Sequence, residues 1–442
     1  MIRFLDRITS DKVIKFLVFT VYAAGFIGMS VFAFKVGHIH IFPYRILIPL
    51  IWLLVIYRVI RNKGVFDFQP IKVKAFGLFL LVWLVYSILS INWAIDKTSA
   101  LKHVVFLFLS VSVIIFSIIY FDSVDDLHTV SIIWLVFLGV TLLIGIFETI
   151  SGDHLSVSRY FQVELEYFKY TPTAVFYNPN DFATFLSLSA PFLLSFFFFS
   201  KKILYRLIFL VSFFALLYVL ISTGSRANFI AIFLEIVFFV IVFFTFQTNR
   251  KEIYILITVS LMALLLFPKK LAEKVNFVIR NIQSVLSQLT AESHSMGERL
   301  NLARNGLLFL LSTWGFGVGA GNVEVWMKTR AQYNTGNKIN IHNWFLEVLV
   351  NYGIFIFVGY LILLVSMFYK VYSQLRTHRD DHKMKVLGVA ILGSLIGFLF
   401  ASLSPSSIMA FRPHWMIYAL GLSYINIGLN KAQREEQQIQ KA

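Results

Sequence analysis

Three stretches of this 442-residue chain place cations, amides and a histidine where they could handle a phosphate or a hydroxyl. In STGSRANF (222–229), a turn of small residues leads directly into Arg226 at the head of an apolar run. Ser225 is placed to cap the helix that follows. The free N–H groups and positive dipole end of that helix attract an anion, and the Arg226 guanidinium can grip phosphate through two parallel hydrogen bonds. An arginine there opposes the dipole of its own helix. It therefore needs an anionic partner, either a bound ligand or a lipid headgroup. In GERLNLARNG (297–306), Arg299 and Arg304 share one short helix-patterned stretch, and either can meet Arg226 around a diphosphate. In IHNWFLEVLVNYG (341–353), His342 stands where a polar segment turns apolar. A histidine titrates near neutrality and can take the proton of a hydroxyl nucleophile; His342 and Asn343 serve equally well as a helix cap. Asn343, Glu347 and Asn351 step by four and form one polar stripe, which in a membrane helix faces the bundle interior or a wet cavity.

Other stretches read as structure. Asn178, Pro179 and Asp181 in YNPNDFATF (177–185) are helix-start residues. The glycines of GFGVGAGN (315–322) lack both the GK[ST] sequence and the preceding strand of a nucleotide loop, so they read as a flexible turn. Glu235 lies about 13 Å along the helix from Arg226 at the usual rise per residue. It is the one residue that favours an ion-coupled transporter or flippase. The histidines and acids never adopt metal-ligand spacing, so no metal site is expected.

These groups must be held by membrane helices. Of the residues, 58% are hydrophobic and only 14% charged, with 48 Phe, far from the balance of a soluble domain. Apolar runs long enough to cross the bilayer recur at 13–35, 41–60, 73–92, 102–120, 129–149, 181–199, 203–221, 227–246, 252–267, 343–370, 385–402 and 409–428. The expected fold is an all-α, multi-pass membrane protein of about twelve spans, since backbone groups in lipid must be satisfied within each segment. Lys and Arg crowd the loops on one side of that arrangement, which places both termini in the cytoplasm. The acidic loop FDSVDDLH (121–128) is the dissenter on that side. The net charge of +16 is spread over these loops and reports topology rather than nucleic-acid binding, and the absence of cysteine excludes disulfides.

Residues 1–267 are expected to hold spans one to nine, with a loop at 151–180; residues 343–428 hold the last three and 429–442 a cytoplasmic tail. Between them, 268–342 forms a long extracytoplasmic loop with nine Lys/Arg against four Glu, a platform for an anion or for lipid headgroups. Within it Leu300, Ala303, Leu307 and Leu311 recur at helical spacing, the pattern of an amphipathic helix on the membrane surface.

In their order and on one face, STGSRANF, GERLNLARNGLLFL with GFGVGAGN, and IHNWFLEVLVNYG resemble the O-antigen ligase and polymerase superfamily. The resemblance implies a GT-C-like glycosyltransferase of the bacterial inner membrane, acting on its outer face without metal, nucleotide or other cofactor. The implied partners are a polyprenyl (undecaprenyl) diphosphate-linked glycan donor, a glycan or lipid A–core acceptor, and membrane lipids. Carried over by motif, Arg226 and Arg299 hold the diphosphate and His342 activates or orients the acceptor hydroxyl. Arg304 competes with Arg299, and Asn343 and Glu347 are further substrate-binding candidates. Tyr160, Tyr167 and Tyr170 are candidates to stack on sugar faces.

Overall fold

The structure is a computed structural model that describes residues 11–27, 33–36, 39–61, 70–246, 294–405 and 408–440. The chain folds in order as α1 (Asp11–Ile27), a ribbon of β1 (Phe34–Val36) and β2 (Ile39–Ile41), α2 (Pro43–Arg61), α3 (Lys74–Leu89), α4 (Lys97–Tyr120) and α5 (Val124–Ser151). The short α6 (Glu166–Lys169), α7 (Pro179–Phe199), α8 (Ile203–Thr223) and α9 (Arg226–Phe246) follow. Then come α10 (His294–Ser312), α11 (Val323–Arg330), α12 (Trp344–Thr377), α13 (His382–Ala401) and α14 (Arg412–Ile439). Among the described residues, eight helices are long and apolar enough to cross a membrane: α2, α3 with its 3-10 extension, α4, α5, α7, α8, α12 and α13. Helices α1, α9 and α14 occupy three more of the expected spans, and the ninth, 252–267, lies outside the described residues.

Two details depart from the expected pattern. The span expected to run to residue 35 is helical to Ile27, and by Phe34 the chain is extended. There β1 pairs antiparallel with β2, Val36 opposite Ile39, so the fold is not purely helical.

Lipid offers no hydrophobic gradient between helices, so packing rests on small residues and polar contacts. Helix α7 is buried along its whole length. It is bound to α13 by Ser394 Oγ donating to Leu188 O at 2.8 Å and Ser195 Oγ donating to Val386 O at 2.6 Å. Trp134 of α5 donates from Nε1 to Ser189 Oγ at 2.8 Å. The start of α7 is as expected: Asn178 caps it by accepting from Asp181 N at 2.9 Å, with Pro179 in the first turn. The acidic 121–128 loop is explained by its partners. Asp122 and Asp126 meet Lys15 at 3.0 and 2.6 Å, and Asp125 pairs with Lys383, so its acids neutralise cations of the same face.

Helix α12 is not continuous. Gly353 has φ 79° and ψ 177°, a conformation open only to glycine. The glycine-rich 315–322 segment fills the break: Ile354 N donates to Gly315 O at 2.9 Å, Val318 N to Val350 O at 2.9 Å and Gly319 N to Asn351 O at 3.1 Å. It is a turn, as expected, but one hydrogen-bonded into the bundle, with positive φ at Gly315, Gly317, Gly319 and Gly321. A Cβ on Gly317 would come within 2.6 Å of Gly353 N, so the two backbones touch because neither residue has a side chain.

Replacing Gly353 by alanine should therefore destabilise the folded protein by about 1–3 kcal/mol from backbone strain alone. Gly77→Ala, at a site with no atom within 4 Å, should be neutral or slightly stabilising. Thermal unfolding of the two variants in one detergent compares them, and equal midpoints would contradict the glycine requirement.

Candidate functional site

The three sequence stretches converge on the end of the bundle where the 152–178 and 313–343 connections lie. The α8–α9 turn is tight, with Gly224 at φ 68° closing α8 and Arg226 opening α9. Ser225 precedes that helix as expected, but its hydroxyl is used elsewhere. It hydrogen-bonds Ser404 Oγ at 2.8 Å and accepts from Asn228 Nδ2 at 2.9 Å. These bonds fasten the turn carrying Arg226 to the 402–411 connection.

The same connection holds His342. Trp344 N donates to Ser402 O at 3.2 Å, and the backbone of Ser404 and Pro405 lies beside the imidazole. Asn340 accepts from His342 N at 2.8 Å, closing a turn in which His342 takes φ 51°. Beyond the histidine, Trp344 is anchored through Nε1 to Tyr360 OH at 2.8 Å, and Tyr360 OH meets Tyr418 OH at 2.7 Å. The half-buried ring is thus fixed from the peptides on both sides of it.

Arg299 arrives on α10. This helix joins α11 and the start of α12 in a second hydrophobic cluster containing Leu302, Phe309, Trp326, Ile341 and Val350. Asn305 reinforces the join by accepting from Gln332 N at 2.9 Å and Tyr333 N at 3.0 Å. Glu298 pairs with Lys338, and among the described residues Arg299 has no ion-pair partner. Burial lowers the Arg299 pKa, and the charge of Arg226 lowers it further, so the two guanidiniums are close enough to repel. Burial also lowers the His342 pKa, with Arg299 the next cause; the nearby backbone of Ser404 and Pro405 raises it and does not cancel those effects. Arg299 is therefore a neighbour of both Arg226 and His342, with Lys338 also acting on the ring. Cations gathered beside an imidazole whose protonation is disfavoured can receive an anion and a hydroxyl.

Other candidates fall elsewhere. Arg304 is exposed, its guanidinium 5.6 Å from the Tyr333 ring centroid, and it does not figure among the charges acting on His342. The three residues of the polar stripe have separate roles. Asn343 caps α12 by accepting from Leu346 N at 3.2 Å. Asn351 Oδ1 accepts from Asn322 N at 2.9 Å and Val323 N at 3.1 Å at the start of α11. Glu347 lines a separate polar cavity of about 180 Å³ with His103, Glu324 and Asn340. Leu300, Leu307 and Leu311 are exposed, so the predicted apolar stripe of α10 faces away from the fold while Leu302 and Phe309 pack inward. Tyr160 is buried against Phe168, rings 5.1 Å apart, and is not free to stack on a sugar. Among the described residues no three of His, Asp and Glu gather as a metal site. The residues that sequence reasoning missed are Ser402, Ser404 and Pro405. Only a proline among serines between two apolar runs marked them, a signal common to many helix connections.

Because its pKa lies below 6.5, His342 binds fewer protons in the folded than in the unfolded chain within that window, and stability falls as pH drops through it. Arg299→Gln should raise the His342 pKa toward 6.5, and Arg304→Gln should leave it where it is. NMR titration of ring-labelled histidine reads both, and an unmoved His342 in Arg299→Gln would separate the two residues.

Comparison with known proteins identifies the family. Residues 209–361, which contain Arg226, Arg299 and His342, match the family described as O-antigen ligase. The teichuronic acid biosynthesis protein TuaE of Bacillus subtilis (strain 168) is 30% identical over 439 residues, covering 97% of this chain and 87% of that protein. A multi-pass helical bundle with likeness over nearly its whole length to such a protein belongs to the O-antigen ligase superfamily, whose membership carries a glycan-transferring function in polysaccharide biosynthesis.

Proposed function

We propose that the protein is a glycosyltransferase of the plasma membrane that moves a glycan from a polyprenyl diphosphate to a sugar hydroxyl at the outer face. The observation that carries this reading is Arg299 lying within electrostatic reach of both Arg226 and His342. In the reaction the acceptor oxygen attacks the anomeric carbon of the donor glycan. The new glycosidic C–O bond forms as the C–O bond to the diphosphate breaks. The acceptor proton passes to the neutral His342 ring, and the charge left on the departing polyprenyl diphosphate is met by the two guanidiniums. A lipid-linked diphosphate lies at headgroup depth, which is why these groups belong at the ends of helices. Both termini are then cytoplasmic, consistent with Lys15, Arg58, Lys383 and Lys431 lying at the far end of the bundle. The relative's part in teichuronic acid biosynthesis favours polymerisation over ligation to lipid A–core. Glu235 supports the competing transport reading, since it is fully buried against Gly397 and among the described residues neither oxygen has a hydrogen-bond partner.

The test is transfer by purified protein given a polyprenyl diphosphate-linked oligosaccharide, with neither metal nor nucleotide added. A ladder from that donor alone identifies a polymerase; product formed only with a separate acceptor identifies a ligase. Arg226→Ala and His342→Ala should each lower the rate by about 10²-fold or more. Arg304→Ala and Glu235→Gln should leave transfer near the parent rate. Full activity in both of the first two variants would end the proposal, and loss of lipid-linked glycan translocation in Glu235→Gln alone would replace it with the transport reading.

A further inference from the structure

A second cavity, of about 210 Å³, opens at the same end of the bundle between the starts of α2 and α14, helix α4 and the 152–178 connection. Its walls are largely aromatic, with Phe42, Phe106, Phe176 and Tyr177 among them. Two arginines line it. Arg45 lies over the rings of Phe42 and Phe106 at 5.0 and 5.3 Å, and Arg412 over Phe42 and Tyr44 at 5.1 and 5.8 Å. Arg412 donates from Nε to Gly25 O at 2.9 Å; among the described residues its two Nη groups have no hydrogen-bond partner. Asp181 is the one acid in the wall, and its carboxylate accepts from Asn178 Nδ2 at 2.8 Å. The lining therefore carries a net charge of one positive unit.

We infer that this cavity binds a sugar ring bearing one carboxylate, as a subsite for an anionic glycan. A guanidinium held over an aromatic floor, with its Nη groups unbonded among the described residues, fits the two oxygens of a carboxylate. The aromatic walls offer the apolar surface on which a sugar face packs. The single surplus charge matches a monoanion, whereas a phosphate monoester carries about −1.5 to −2 at neutral pH and would leave the site negative. The cavity also adjoins the site described above. Ser404 and Pro405 lie beside the His342 ring, and Met409, Ala410 and Phe411 of the same connection form one wall of the cavity. Between the two, His414 stacks parallel to Phe411 and lies edge-on to Trp344, ring centroids 5.6 Å apart. A saccharide seated there is the acceptor, an identification that rests on the transfer reaction proposed above; the binding itself does not.

Binding is measured by calorimetry on the full chain in nanodiscs of zwitterionic lipid, with trigalacturonate and its carboxyl-reduced counterpart as probes. Trigalacturonate should bind at least about tenfold more tightly than the neutral trimer, the scale of one charge-assisted hydrogen bond. Arg412→Gln should abolish that preference and Arg412→Lys should restore part of it. Ala410→Trp, which fills the cavity without touching Arg412, should weaken both probes. Arg226→Ala should retain the preference, so failure of the transfer reading leaves this measurement standing, and the reverse. Equal affinity for the two trimers, a preference that survives Arg412→Gln, or full displacement of trigalacturonate by equimolar inorganic phosphate would overturn the proposal. The last result would reassign the cavity to phosphate groups such as lipid headgroups.

Discussion

A membrane helix can leave its own hydrogen-bond ladder open only where protein satisfies the freed groups, and α12 opens at Gly353. The backbone of Gly315, Val318 and Gly319 supplies the missing partners. That exchange has consequences well beyond the break. The clasping loop is the continuation of α10 and the approach to α11, so fixing it to α12 also fixes both helices against the bundle. The cluster of Leu302, Phe309, Trp326, Ile341 and Val350 then forms between them. Arg299 rides on α10 and His342 on the segment leading into α12, and seating this assembly brings Arg299 to both Arg226 and His342. Asn351, just before the break, adds a side-chain bond to the same seam by capping α11.

Electrostatics suit the assembled site to an anion. Burial, and after it the charge of Arg226, lowers the pKa of Arg299, and the nearest acid on α10, Glu298, is engaged with Lys338. A guanidinium keeps its charge at physiological pH, so an anion placed between the two would ease their repulsion. Burial, and after it the Arg299 charge, disfavours protonation of His342, and a neutral imidazole can accept a proton from a hydroxyl. In the proposed reaction the cations would meet a diphosphate while the histidine receives the nucleophile's proton.

Much of this is readable from the chain. Span positions follow from hydropathy because lipid selects for long apolar runs, and Asn178, Gly224 and Asn343 announce helix ends by local chemistry. The triad Arg226, Arg299 and His342 is legible as motifs, yet the choice between Arg299 and Arg304 is not. Both lie on one helix five residues apart, and only tertiary packing decides which faces the turn carrying Arg226. The stripe of Leu300, Leu307 and Leu311 misleads for a related reason. Periodicity identifies an apolar face without saying whether protein or lipid covers it, and here Leu302 and Phe309 take the protein side. The break at Gly353 is hidden because a single glycine in an apolar run is ordinary in membrane helices. Its partner lies more than thirty residues away in a loop that looks like a simple turn.

Among the described residues His342 is one of five non-glycine residues with positive φ, beside Gln162, Ala174, Trp314 and Asn337. At 315, 317, 319, 321, 336 and 353 the residue is glycine, the type that takes positive φ without steric penalty. His342 adopts φ 51° with a full side chain, a state costing about 1–2 kcal/mol for an L-residue. Histidine and asparagine, the latter found at 337 with φ 65°, enter this region more readily than most side chains, and glycine would relieve the strain altogether. The histidine is held there by the Asn340 side chain on its N–H and by Ser402 on the next peptide but one, with the Ser404 and Pro405 backbone beside its ring. Two hydrogen bonds fixing the backbone of one strained residue do nothing for packing that glycine would not do more cheaply. They fit a position kept for its side chain, beside the same connection that binds the Arg226 turn.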